Sequence, residues 1–122
     1  MATDPRRLAG IAFLTVDGVN YMLQGDLEYQ VSRVSRDTLV GQDKVHGFSE
    51  KPVAGHISGT LRDSAGLSLA DINAMTNVTV IIELANGKTV IGRNMWAVDV
   101  QAVKTMEATF EVKWESESVE EA

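Results

Sequence analysis

Apolar and polar residues alternate with a period of two along most of this chain. In residues 105–115, Met106, Ala108, Phe110, Val112 and Trp114 alternate with Thr105, Glu107, Thr109, Glu111, Lys113 and Glu115. Successive side chains on a strand leave opposite faces, so this run sends one face to a core and one to water. Trp96, Val98, Val100 and Ala102 form a similar, weaker apolar face one strand earlier. Residues 56–62 alternate with small or polar groups outward, and Leu27, Tyr29 and Val31 mark another strand. Asp17-Gly18 joins the β-prone runs 11–16 and 19–23, and Asn86-Gly87 joins 78–84 to 88–93. Both pairs predict tight hairpins, because Asp, Asn and Gly tolerate the positive φ of a type I′ turn.

One short helix interrupts the strands. Ser68 is placed to cap it, with Asp71 three residues on and Leu67 and Ile72 spaced as a hydrophobic staple. Leu69, Ile72 and Met75 then form its buried stripe, and Asn77 closes it. At about two turns it cannot stand alone and must pack on a sheet. The fold expected is all-β, a sandwich or barrel with one flanking helix. Residues 1–10 read as an arm, 11–114 as the domain and 115–122 as an acidic, frayed tail.

Residues 41–52 break the pattern. They hold two glycines, a proline and charged groups without a period. Loops of this length without secondary structure are usually functional or disordered. Val45 and Phe48 argue for function, since apolar groups in such a loop gain by docking on another surface.

Charge and composition then narrow the chemistry. The 122 residues suit one domain, and the net charge of −6 falls to −2 once Glu115, Glu117, Glu120 and Glu121 are set aside. Such a body is not built to grip nucleic acid, which needs clustered Lys and Arg, and the local basic pairs are Arg6-Arg7 and Arg33 with Arg36. There is no cysteine, hence no disulfide framework or thiolate nucleophile. His46 and His56 show no metal-ligand spacing, and no nucleotide or acyl-transfer motif occurs. Glu107 and Glu111 lie about 13 Å apart on a strand, too far to couple as acid and base. No catalytic residue, metal or cofactor is expected, nor membrane insertion, and synthesis in a cytoplasm fits the absence of cysteine and of a signal peptide. A binding or assembly role remains.

The order of these features resembles the tail tube proteins of Mu-like contractile-tailed phages and prophages. The residues that carry the resemblance are Ala9-Gly10 entering the first strand, the Val16-Asp17-Gly18-Val19 hairpin and the Gly41-Gln42-Asp43-Lys44-Val45-His46-Gly47-Phe48 loop. They continue with the Leu67-Ser68-Leu69 helix start and the Glu83–Thr89 hairpin. The likeness implies a structural virion protein, made in the host bacterial cytoplasm, whose hexameric rings stack into the inner tube of a contractile tail. It implies sheath, baseplate and tail terminator proteins as partners, and DNA as a passing, unbound cargo. It also implies that residues 41–52 reach the adjacent ring, with residues 1–10 a weaker candidate for the same contact. About four strands per subunit make about 24 per ring, with a backbone diameter of about 50 Å and a bore of about 40 Å. That bore clears a duplex about 20 Å wide. The polar faces Gln30/Ser32, His56/Ser58/Thr60 and Glu107/Thr109/Glu111 are expected to line it, while Met106, Phe110, Val112 and Trp114 fill the core. A tube of a bacteriocin or type VI-like needle without DNA is the alternative, and a monomeric ligand-binding β-sandwich is a third reading.

Overall fold

The computed structural model describes residues 6–64, 68–98 and 102–122. Mostly antiparallel β-strands and one short helix make up the fold. The strands are β1 (Phe13–Val16), β2 (Val19–Tyr21), β3 (Leu23–Gln30), β4 (Arg33–Val40), β5 (Val45–Val53) and β6 (Gly55–Arg62). After helix α1 (Leu69–Asn73) come β7 (Val78–Glu83), β8 (Thr89–Val98), β9 (Thr109–Ser116) and β10 (Ser118–Glu121).

One sheet runs in the order β2-β1-β7-β8-β9-β6-β3, with β10 also on β8. Strand β8 belongs to both layers of a sandwich. Its first half pairs with β7 and β10, and Trp96–Val98 pair with β9. Asn94, at φ 55, sits at the changeover, where a left-handed residue bends the strand from one layer to the other. Leu14, Val16, Val80, Ile82, Val90 and Val119 from the first layer meet Ile57, Leu61, Phe110, Val112 and Trp114 from the second. Ile72 of α1 and Met95 complete this core.

The turns follow from their residues in two different ways. Asp17 and Gly18 both have positive φ, as a type I′ turn requires. At the second hairpin only Gly87 is left-handed; its N–H donates to the Leu84 carbonyl and the Leu84 N–H donates to Lys88 O. That is a three-residue connection ending in a bulge, not a type I′ turn. Ser68 Oγ accepts from the Asp71 N–H and caps α1. The helix ends at Asn73 with Ala74 as its C-cap, four residues short of Asn77, and the Leu67 half of the staple lies outside the described residues.

Four expectations are corrected. Residues 45–53 are not an irregular loop but strand β5, paired along its length with β4. The C-terminal residues are not a frayed tail, because β10 is zipped onto β8 and buries Val119. Met106 is 99% exposed, since the chain turns at 105–108 with Ala108 at φ 53, and β9 starts only at Thr109. Trp96 and Val98 stand opposite Glu115 and Lys113, on the polar side of their sheet, while Met95 and Ala97 face the core; Val100 lies outside the described residues.

Candidate assembly surfaces

The layer β3-β6-β9 with the end of β8 has one apolar and one polar face. Register fixes which residues share the polar one. His56 stands opposite Glu115, Ser58 opposite Lys113 and Thr60 opposite Glu111 on β9, while Glu28 and Gln30 of β3 stand opposite Ser58 and His56. Of these, Glu28, Ser58, Thr60, Glu111 and Lys113 border a polar groove of about 900 Å3 that also takes in Asp26, Lys104 and Glu107. His56 Nε2 lies 3.2 Å from Glu28 Oε1, and Lys113 Nζ lies 3.5 Å from Glu115 Oε1. Acids outnumber bases here, and one of the two lysines is already paired. A surface short of free cations offers phosphates little to hold.

Sequence reasoning placed eight residues on such a surface, and the register gathers Gln30, His56, Ser58, Thr60 and Glu111 there. Three stand apart in their setting. Thr109 shares the face by register, opposite Arg62, and is buried like Thr60. Glu107 lies in the turn before β9, where its carbonyl accepts from Arg62 at 2.6 Å. Ser32 is half-buried at the end of β3 and bonds to β10. Glu28, Lys113 and Glu115 are members that sequence reasoning missed. Period two from Glu111 points to the two on β9, whereas Glu28 joins only through the bulged pairing of β3 with β6.

The second surface is the hairpin β4-β5, whose strands pair, among the described residues, only with each other. It prolongs the β3-β6 pair, so residues 23–62 form one long ribbon that leaves the sandwich at Val31, Ser32 and Ala54. Opposed residues share a face. Val34/Pro52, Arg36/Glu50, Thr38/Phe48 and, after a bulge, Val40/Val45 lie on one side; Arg33/Val53, Ser35/Lys51, Asp37/Ser49 and Leu39/Gly47 lie on the other. The first side is mainly apolar yet exposed, Phe48 at 58% and Val40 at 69%. At its middle the Arg36 guanidinium lies 5.6 Å from the Phe48 ring centroid and pairs with Glu50 at 3.5 Å. The turn is closed by the Gly41 N–H on Lys44 O, and by His46 Nε2 at 2.9 Å from Asp43, whose carboxyl it holds below the usual range. Thus the predicted residues 41–48 are brought together at the tip and the outer end of one hairpin.

The root of that hairpin is tied to the C-terminal strand. The Ser32 N–H donates to Val119 O at 3.0 Å, and the Val119 N–H donates to Ser32 Oγ at 2.8 Å. Gly55 is needed beside them, because a Cβ there would stand 2.6 Å from the Val119 side chain. Farther along, Glu121 accepts from the Tyr29 hydroxyl at 3.1 Å and pairs with Lys88 at 3.2 Å. Those hydrogen bonds, Lys88 first, hold the Glu121 carboxyl below its ordinary range. A lowered carboxyl contributes stability above its unfolded pKa and loses it as pH falls through the folded value. Amide exchange at residues 118–121 is therefore expected to speed up, beyond the intrinsic rate, once pH falls below the ordinary glutamate range and Glu121 takes up its proton. Lys88→Met should abolish most of that pH dependence; an unchanged profile in the variant would show that the pair does not hold the strand.

No helix among the described residues is long and apolar enough to cross a membrane, and no cluster of three His, Asp or Glu there could hold a metal. The sequence model of the family described as phage tail tube protein matches residues 6–121. The chain is 26% identical over 111 residues to the Mu-like prophage FluMu tail tube protein of Haemophilus influenzae, with 91% of each chain covered. Its fold is similar to a chain of an extracellular contractile injection system, PVC sheath/tube terminator in extended state. The TM-score there is 0.61 at 14% identity, over 91% of this chain and 92% of that one. It is also similar to the anti-feeding prophage cap (AFP tube terminating cap), with a TM-score of 0.60 at 12% identity, over 100% of this chain and 91% of that one. The match over nearly its whole length means that this chain belongs to the phage tail tube protein family, a structural rather than an enzymatic one.

Proposed function

We propose that six copies close into a ring through the β3-β6-β9 layer, and that rings stack into the inner tube of a contractile tail, a conduit for genome ejection. The observation that carries the reading is the state of that layer's two edges. The outer edge of β3 has no strand partner among the described residues, and at the other end Trp96–Val98 lie beyond the β7 and β10 pairings of β8, where the Ala97 N–H donates to the Met75 carbonyl. Open strand edges invite another strand, and two different edges joined head to tail give a closed ring when the rotation allows. Four strands per copy, six copies and ordinary spacing give a bore of about 40 Å, enough for a duplex. The polar face of the same layer, with Ser58, Thr60, Glu111 and His56, then lines the bore. The hairpin β4-β5, residues 41–48 included, reaches the next ring. An isolated two-stranded hairpin is marginal in water, so this one gains its support from a neighbour. Sheath, baseplate and terminator proteins are the partners this arrangement calls for, and the virion tail is its location.

Electron microscopy of the purified, concentrated protein tests the reading. Hollow tubes or rings with that bore are expected, and a strictly monomeric protein would overturn it. Converting Ser58 and Glu111 together to lysine should leave tubes intact but slow genome ejection, because added cations hold passing phosphates. Normal infectivity with the double variant would remove the polar face from the bore.

A second reading takes its support from the two fold neighbours, a sheath/tube terminator of an extracellular contractile injection system and a tube terminating cap of the anti-feeding prophage. In a particle that carries no genome, the same tube would form and the lysine variant would be silent in cargo delivery.

A further inference from the structure

A groove of about 710 Å3 opens at the other end of the molecule from the hairpin. Ile11, Phe13, Met22 and Leu23 line it, with Glu83 at its border. Phe13 is 61% exposed and Met22 59%, so the groove offers apolar surface that no other described residue covers. Its position along the ribbon matters. The Arg62 N–H donates to Met22 O at 2.9 Å, so the groove lies where β3 begins and β6 ends. The hairpin leaves from where β3 ends and β6 begins. Eight residues of extended chain separate the two, about 26 Å.

We propose that this groove receives the apolar face of the β4-β5 hairpin from a second copy in the adjacent ring. The inference rests on the tube reading and names the surface that the hairpin meets. One chain carries a projecting apolar ribbon at one end and an apolar recess at the opposite end. A contact between unlike patches at opposite ends repeats by translation and does not close, which is what ring-on-ring stacking needs. Charge agrees with the pairing. Residues 33–53 hold four bases and three acids, whereas the rest of the chain has seven bases against fourteen acids. Lys44 at the hairpin turn and Glu83 at the groove make no ion pair with another described residue. Docking brings a hairpin of net charge +1, with Lys44 at its turn, to an acidic body.

The absence of cysteine makes the contact easy to test. Phe48→Cys and Met22→Cys are introduced together, tubes are assembled under reduction, and a short bismaleimide is added. Such a linker tolerates a looser approach than a disulfide, which needs Cα atoms within about 7 Å. A ladder of covalent oligomers on a denaturing gel is expected from the double variant, and none from either single variant. Dimers from Phe48→Cys alone would show hairpins meeting each other and overturn the pairing. Tubes of the double variant without cross-links would also overturn it while leaving the tube reading intact. If the unmodified chain forms no tubes, it is the tube reading that fails. Where the cysteines block assembly, charge exchange decides. Lys44→Glu and Glu83→Lys are each expected to raise the concentration needed for stacking about tenfold, and together to restore it. Failure of the double exchange to restore stacking rejects the contact.

Discussion

Replacing Val40, Val45 and Phe48 together by serine is expected to leave a folded subunit that no longer stacks. None of the three belongs to the core between the two layers, and all are more than half or nearly half exposed in the isolated chain. Their removal therefore takes little from subunit stability, and the melting transition should stay within a few degrees of the parent's. Against a neighbouring copy the balance is different. Fully burying a Val or Phe side chain is worth about 1.5–3 kcal/mol, so losing three from one contact removes about 5 kcal/mol. That weakens each inter-copy contact by more than about a thousandfold. The contact recurs for every subunit in a ring, so the loss multiplies. Sedimentation and electron microscopy should show monomers or single rings and no tubes. Tubes of ordinary length would mean that the hairpin is not what joins one ring to the next.

The part of the fold with a buried face was readable in the sequence. On β9, Phe110, Val112 and Trp114 fall on one side because any slip by one residue would expose all three. The Asp17-Gly18 turn was equally plain, since few residue pairs accept two positive φ angles. The hairpin β4-β5 was not readable, and the reason is physical. Without a core beneath it, nothing enforces alternation of apolar and polar residues. Its apolar side is interrupted by Arg36 and Glu50, and the bulge where Val40 pairs with Val45 shifts the phase in β5. A window of composition there looks like a charged loop. Strand β8 misled in the opposite way: Trp96 and Val98 alternate properly, but Asn94 turns the strand between layers and puts them on the polar face.

The assembly surfaces were legible to the extent that they were local. His56, Ser58, Thr60 and Glu111 follow from period two on β6 and β9 once the apolar side is known. Glu28 depends on β3 pairing with β6 through two irregularities in register, and no short-range signal carries that. The C-terminal residues were hidden by their charge. In sequence Glu117, Glu120 and Glu121 repel one another, but in the fold Glu120 meets Arg93 and Glu121 meets Lys88. Those partners lie some thirty residues away, and a single buried valine between the acids gives little warning of a strand.

That valine carries the second large effect. Val119→Asp is expected to destabilise the subunit by more than about 4 kcal/mol, in the range reserved for buried unpaired charge. Val119 is 1% exposed and packs where the two layers meet β10, so a carboxylate there would be cut off from solvent. The backbone consequences reach farther than the core. With β10 detached, Ser32 loses both of its bonds to Val119, and the ribbon is free to swing at residues 31–32 and 54. Hydrogen exchange should then rise first at Ser32 and in β10, and the hairpin should lose its fixed direction. A milder variant separates the two effects. Ser32→Ala removes one hydrogen bond, about 1 kcal/mol, and leaves the core intact. If the hairpin's direction is set at its root, Ser32→Ala should lower stacking efficiency while barely moving the melting temperature. Stacking and melting that fall strictly together in both variants would make β10 a piece of the core and nothing more, and the hairpin's aim would have to be set by the neighbour it meets.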